Sequence, residues 1–132
     1  MDSSAFYAIA DTTDRHNSRA KSLLTSQEGL VTTDHVLVET WLLIARKLGE
    51  DAAGSAWQAI ERGARVEFVD QMDMHMARSI GVNFGDQLFS IVDCTSFAVM
   101  QRLGVTRTIS FDRHFAIYRY GPKRDRAFEV LR

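Results

Sequence analysis

Apolar positions recur at helical spacing along most of this chain, interrupted by three short β-rich runs. Ser4 to Ala10 (SAFYAIA) reads as a short helix that Ser3 or Ser4 caps. Asp14 to Gln27 reads as a second helix, with Ala20, Leu23 and Leu24 as its apolar side. Leu30 to Thr32 is a strand candidate, after which Thr33 or Asp34 caps a long helix ending at Gly49. That helix is apolar nearly all round (Val36, Leu37, Val38, Trp41, Leu42, Leu43, Ile44), which predicts that it is largely buried. Glu50 to Arg62 is helical and closes at Gly63, and Val66, Phe68 and Val69 form a β-rich run. Gln71 to Ile80 and Ile91 to Leu103 are helical in pattern, the latter stopped by Gly104, and Thr108 to Phe111 is a strand. Strands alternating with helices predict an α/β fold with an open, mainly parallel sheet flanked by helices. Ligands of such sheets gather at the carboxyl ends of the strands.

The length of 132 residues predicts a single domain spanning 1–132, and neither a repeat nor a linker divides it. At 45% hydrophobic and 25% charged residues the composition excludes a disordered chain. One cysteine, Cys94, excludes an internal disulfide framework and a Cys-based zinc site; it lacks a basic neighbour that would activate it and reads as a buried thiol. No apolar run approaches the ~18 residues of a membrane span. The first residues, MDSSAFYAIADTTDR, lack the basic n-region of a secretory signal, so a cytoplasmic, membrane-free protein is expected. Neither GxxxxGK[ST] nor GxGxxG occurs, so nucleotide-triphosphate and dinucleotide chemistry lack support, and no histidine has HExxH spacing.

Four acids stand out because they sit among apolar residues, where an unpaired carboxylate is expensive to bury. Asp2 precedes SSAFYAIA, Glu39 lies inside VLVETWLLIA, Asp93 inside FSIVDCTSFAVM, and Asp112 follows TISF. Each has a plain structural alternative: a helix cap or loose end for Asp2, a pair with Arg46 for Glu39, a helix N-terminus for Asp93, a turn for Asp112. One divalent cation accounts for all four, since Mg²⁺ and Mn²⁺ prefer carboxylate oxygens. His35, four residues before Glu39, suits either a ligand pair with it or an orienting hydrogen bond.

The segments DSSAFYA, HVLVETWLLIARKLG, FSIVDCTSFAVMQRLGV and TISFDRHF, in this order, resemble the PIN-domain ribonucleases, most of all the VapC-type toxins of bacterial toxin–antitoxin modules. The resemblance implies endonucleolytic cleavage of RNA with Mg²⁺ or Mn²⁺, neutralisation by a cognate antitoxin, and a homodimer. It puts the family's four acids on Asp2, Glu39, Asp93 and Asp112. Asp2 and Asp93 are then the primary metal ligands. Glu39 and Asp112 hold a second ion or orient and deprotonate the water. Ser3 and Ser4 match the family's Ser/Thr after the first acid, and Thr95 or Ser96 the small polar residue after the third, with Ser4 and Ser96 expected to support the acids. One departure is that Met1 alone precedes Asp2, where relatives carry an apolar run, so either the start lies upstream or this strand is short. The rival with the same fold is a non-catalytic PIN-like binding module, which should have lost an acid.

The net charge of −1 is unevenly spread. Residues 113–132 hold six Lys or Arg against two acids, a local +4 that leaves −5 on the rest. Arg113, His114, Arg119, Lys123, Arg124 and Arg126 follow Asp112 and are candidate RNA-phosphate contacts. Two readings of the interleaved Phe115, Tyr118 and Tyr120 stand side by side: stacking platforms for unpaired bases, or core residues beside arginines that hold an acidic antitoxin segment.

Overall fold

The computed structural model describes residues 1–132. In chain order the elements are α1 (Ser3–Ala10), α2 (Asn17–Thr25), β1 (Val31–Thr33), α3 (Asp34–Leu48), α4 (Glu50–Gly63), β2 (Arg65–Glu67), α5 (Gln71–Asn83), α6 (Ile91–Leu103), β3 (Arg107–Ile109), α7 (His114–Ile117) and β4 (Glu129–Leu131). The expected parallel α/β arrangement is present, but as two two-stranded parallel pairs. β1 runs beside β2 with Val31 opposite Arg65, and β3 beside β4 with Arg107 opposite Glu129. Met1 and Asp2 join the pairs. Met1 N donates to Val31 O at 2.7 Å, Thr32 Oγ1 donates to Met1 O at 3.0 Å, and Asp2 N donates to Ile109 O at 3.0 Å.

The sequence sets the helix ends. Thr33 caps α3, its hydroxyl accepting from Val36 N at 3.1 Å; Asp34 lies in the first turn and Arg46 and Lys47 in the last, as the helix dipole favours. α5 and α6 each open on a capping box, Asp70 with Asp73 and Ser90 with Asp93. Gly104 ends α6 at φ +65°, a conformation that suits glycine.

The core is built in parts. Phe97 of α6 stacks on Tyr118, ring centroids 4.1 Å apart, and meets Phe115 edge-on at 4.9 Å, within a cluster that includes Ala77, Ile80 and Phe128. Burying each of these rings contributes about 1.5–3 kcal/mol. Phe115 and Tyr118 are therefore core residues, and the base-stacking reading of them falls away. A second cluster, Phe6, Val36, Leu37 and Ile60, locks α1 to α3 and α4.

Several expectations need correction. α3 is not buried on most sides: Val38 and Leu42, one turn apart, are 50% and 54% exposed. α2 starts at Asn17 rather than Asp14, because residues 11–16 are held in turns by the Asp11 and Asp14 carboxylates. α5 runs on to Asn83, and α7 and β4 carried too short a pattern to be read beforehand.

Candidate active site

Two of the four acids stand at helix N-termini. Asp2 is the N-cap of α1 and Asp93 the third residue of α6, so the positive ends of both helices face the cluster. The structural alternatives considered for these two acids are thus realised together with their convergence. Glu39 projects from the second turn of α3, and Asp112 follows β3, its Oδ1 accepting from His114 N at 2.9 Å.

A hydrogen-bond network links Asp2, Asp112 and Asp93 through Ser110 and His114, and Glu39 joins the group through its charge alone. Ser3 Oγ donates to Glu39 Oε2 at 2.6 Å. Asp2 Oδ2 accepts from Ser4 Oγ at 2.7 Å, Ser110 Oγ at 2.9 Å and Ser4 N at 3.3 Å. Asp93 Oδ2 accepts from Ser90 N at 2.8 Å. His114 Nδ1 lies 2.8 Å from Asp93 Oδ2 and 3.4 Å from Asp112 Oδ1, and it must donate, because an ionised carboxylate only accepts. In every one of the four acids a single oxygen is engaged: the protein makes no hydrogen bond to Asp2 Oδ1, Glu39 Oε1, Asp93 Oδ1 or Asp112 Oδ2. Asp73 and Asp11 differ, with both oxygens of Asp73 on Arg102 and both of Asp11 on hydroxyl or backbone partners, whereas Asp14 and Asp34 are also held through one oxygen; what sets the four apart is that they gather with no Lys or Arg partner.

The electrostatics carry the same mark. Burial pushes the Glu39 carboxyl above its ordinary value; the Ser3 hydroxyl opposes this, and the charges of Asp2, Asp93 and Asp112 add to it. Burial raises Asp93 too, against the Ser90 N–H and His114, with Asp2 adding to the rise. No Lys or Arg pairs with any of the four, and Glu39 does not meet Arg46. No three His, Cys, Asp or Glu side chains come together closely enough to hold a metal ion among themselves. Mg²⁺-type ions are bound through one or two carboxylates while keeping several waters, so the donor chemistry of Asp2 and Asp93, carboxylate oxygens without a basic partner, is of the kind that suits a hard divalent cation.

The remaining candidates are distributed as follows. Ser4 touches Asp2, as expected for it. Ser96 lies a turn further along α6 than Asp93 and reaches no acid; its buried hydroxyl lacks a partner, and the residue lines a cleft of about 240 Å³ between β1 and β3. His35 turns to Thr95 Oγ1 at 3.3 Å, so no pair with Glu39 forms. His114 is folded into the acid network instead of facing solvent. Arg119 donates to the carbonyls of Ala116, Ile117 and Tyr118, closing the end of α7. Arg113, Lys123, Arg124 and Arg126 are exposed, with Arg124 4.6 Å over the Phe84 ring. Cys94 is buried as expected, its thiol pushed up to about 11 by burial and by Asp93. Sequence reading missed Ser110 and Ser90, although their spacings, two before Asp112 and three before Asp93, are those of a hydroxyl turn and a capping box.

The PIN-domain family model matches residues 1–119. The chain belongs to the PIN-domain family, and its class there is the VapC-type endoribonuclease of toxin–antitoxin modules. Over 118 residues it is 35% identical to the 23S rRNA-specific endonuclease VapC20 from two strains of Mycobacterium tuberculosis, covering 88% of this chain and 90% of that one. Ribonuclease VapC26 of the same organism is 26% identical over 129 residues, 90% of each chain. The crystal structure of M. tuberculosis VapC20, described as a sarcin-ricin loop cleaving toxin, superimposes with a TM-score of 0.81 at 34% identity, over 87% of this chain and 90% of that one. Metal dependence is general among PIN-domain nucleases of this kind.

Proposed function

We propose that this protein hydrolyses RNA phosphodiester bonds with Mg²⁺ or Mn²⁺ held by Asp2 and Asp93, and that its substrate class is large-subunit ribosomal RNA, as the name of VapC20 states for that relative. The observation that carries this reading is that four acids, two of them raised by burial and by one another's charge, gather without a Lys or Arg partner, each with one oxygen left over. Such an ion supplies an activated water and positive charge against the oxygens of an in-line displacement. The chain's own groups do the rest. Ser4 and Ser110 fix Asp2, and the Ser90 N–H and His114 fix Asp93. Glu39, its proton affinity raised, holds a second ion or takes the proton of the attacking water; Asp112 serves the same set. Against total RNA and intact ribosomes, cleavage is expected with either ion and none in EDTA; full activity in EDTA overturns the reading.

The exposed Arg113, Lys123, Arg124 and Arg126 are the proposed phosphate contacts. Neutralising Lys123, Arg124 and Arg126 together is expected to weaken RNA binding at every site and leave the cut position unchanged, because phosphate contacts position and do not specify. Each lost contact should lower the salt slope of binding by about 0.7–0.9. Unchanged RNA binding across a salt series, with loss of antitoxin binding, makes this loop a partner surface instead. A cognate antitoxin and a second copy of the chain complete the proposed assembly. The open apolar residues Val38 and Leu42 on α3, and Phe68, Met72 and Met76 around α5, offer surface for such partners.

A further inference from the structure

We propose that Ser110 is a positioning residue for the cation-binding acids, an inference that rests on the metal-dependent reading above. Ser110 follows β3 and is completely buried. Its Oγ accepts from Asp112 N at 3.1 Å and lies 2.9 Å from Asp2 Oδ2. A backbone N–H can only donate, so the hydroxyl proton is left to point at Asp2. Ser4 repeats the arrangement from the other end of the sequence: its Oγ accepts from Phe111 N at 3.0 Å and donates to the same Asp2 oxygen at 2.7 Å. The two serine oxygens are 3.4 Å apart, and with both protons committed to Asp2 that approach is contact alone.

Two consequences follow for the acids. Oδ2 of Asp2 is saturated, so Oδ1 is the oxygen offered to a cation. Ser110 also couples that carboxylate directly to the main chain of Asp112, and is the one hydroxyl that touches both acids. A serine that merely closed the turn before Asp112 would need its acceptor side only. The donor side, spent on an acid 108 residues away, is what a turn does not require.

The test is Mn²⁺ affinity of the purified chain without RNA, read by electron paramagnetic resonance titration, beside thermal melting in EDTA. Ser110→Ala is expected to weaken Mn²⁺ binding about 10–100-fold, the range for a lost outer-shell partner, with only a small change of melting temperature in EDTA. Ser110→Thr keeps the hydroxyl and is expected to return affinity to within about threefold of wild type. A Ser110→Ala protein that binds Mn²⁺ within about twofold of wild type overturns the proposal whatever its melting temperature, and leaves Ser110 as a turn residue. If the added methyl of Ser110→Thr lowers melting in EDTA, the Ser110→Ala comparison decides alone. Absence of Mn²⁺ binding by the wild type overturns the metal reading itself, and the proposal with it, and that failure is seen before any variant is made.

Discussion

Asp93→Asn is expected to cut RNA at least about a thousandfold more slowly than wild type, the scale of several kcal/mol of lost charge stabilisation, and yet to melt no lower in EDTA. The asparagine oxygen still accepts from Ser90 N, so the start of α6 stays capped. What is lost is a carboxylate whose ionised form burial disfavours. With its folded pKa above the ordinary 3.8, Asp93 binds more protons in the folded state than in the unfolded one, so its ionisation subtracts stability as pH rises through that window and at every higher pH. The melting temperature of Asp93→Asn minus that of wild type, both in EDTA, is thus expected to be zero or positive at pH 7 and to shrink towards acid pH. Mn²⁺ should raise the melting temperature of wild type far more than that of the variant. A variant that melts well below wild type in EDTA makes Asp93 a cap and a His114 partner first, and a metal ligand second at most.

The largest loss of stability is expected away from the acids, at Arg102 on α6. Its Nε lies 3.0 and 3.1 Å from the two oxygens of Asp73, its Nη1 2.9 Å from Glu67 Oε1, and its Nη2 3.2 Å from Phe68 O. One guanidinium therefore ties α6 to α5 and to the end of β2. Burial alone would raise the Asp73 carboxyl, but the Arg102 hydrogen bonds and the Asp70 backbone hold it below the ordinary value. Arg102→Met keeps the apolar stem and strands Asp73 as a buried, unpaired charge. The full penalty for that is about 3–5 kcal/mol, and solvent near this rim reduces it to about 2 kcal/mol. A depressed carboxyl contributes stability above its unfolded pKa and loses it as pH falls, so the gap between wild type and Arg102→Met should narrow below about pH 4. Adding Asp73→Asn should restore part of the loss; melting curves that show a larger loss in the double variant sink the account.

Much of this was legible in the chain because it depends on residue type and local spacing. Thr33 before an apolar run, Gly104 after one, and acids lodged among Val, Leu and Phe each announce themselves. What was not legible depends on contacts between distant segments. His114 reads as an exposed phosphate contact beside Asp112, and only the fold brings its imidazole 2.8 Å from Asp93, 21 residues earlier. Ser96 suggests itself by sitting three residues after Asp93, yet the helix carries it past the acids and into the cleft. Ser110, 108 residues from the acid it touches, gave only a turn spacing. Phe115 and Tyr118 among arginines suited a nucleic-acid surface until the packing against Phe97 placed them inside.

The junction at Met1 and Asp2 sets how this molecule breathes. The β1–β2 pair and the β3–β4 pair share no ladder; the main-chain hydrogen bonds between them run through two residues, one of which is the candidate-site acid Asp2. Side chains such as Arg102 tie the surrounding helices across, so the natural units of partial opening are the strand pairs themselves, and the boundary between them passes through Asp2. A cation bound as proposed, by Asp2 at that boundary and by Asp93 on α6, would act as a rivet there. Amide hydrogens of the two strand pairs should exchange at separate rates in EDTA and converge on one slow rate when the ion is bound.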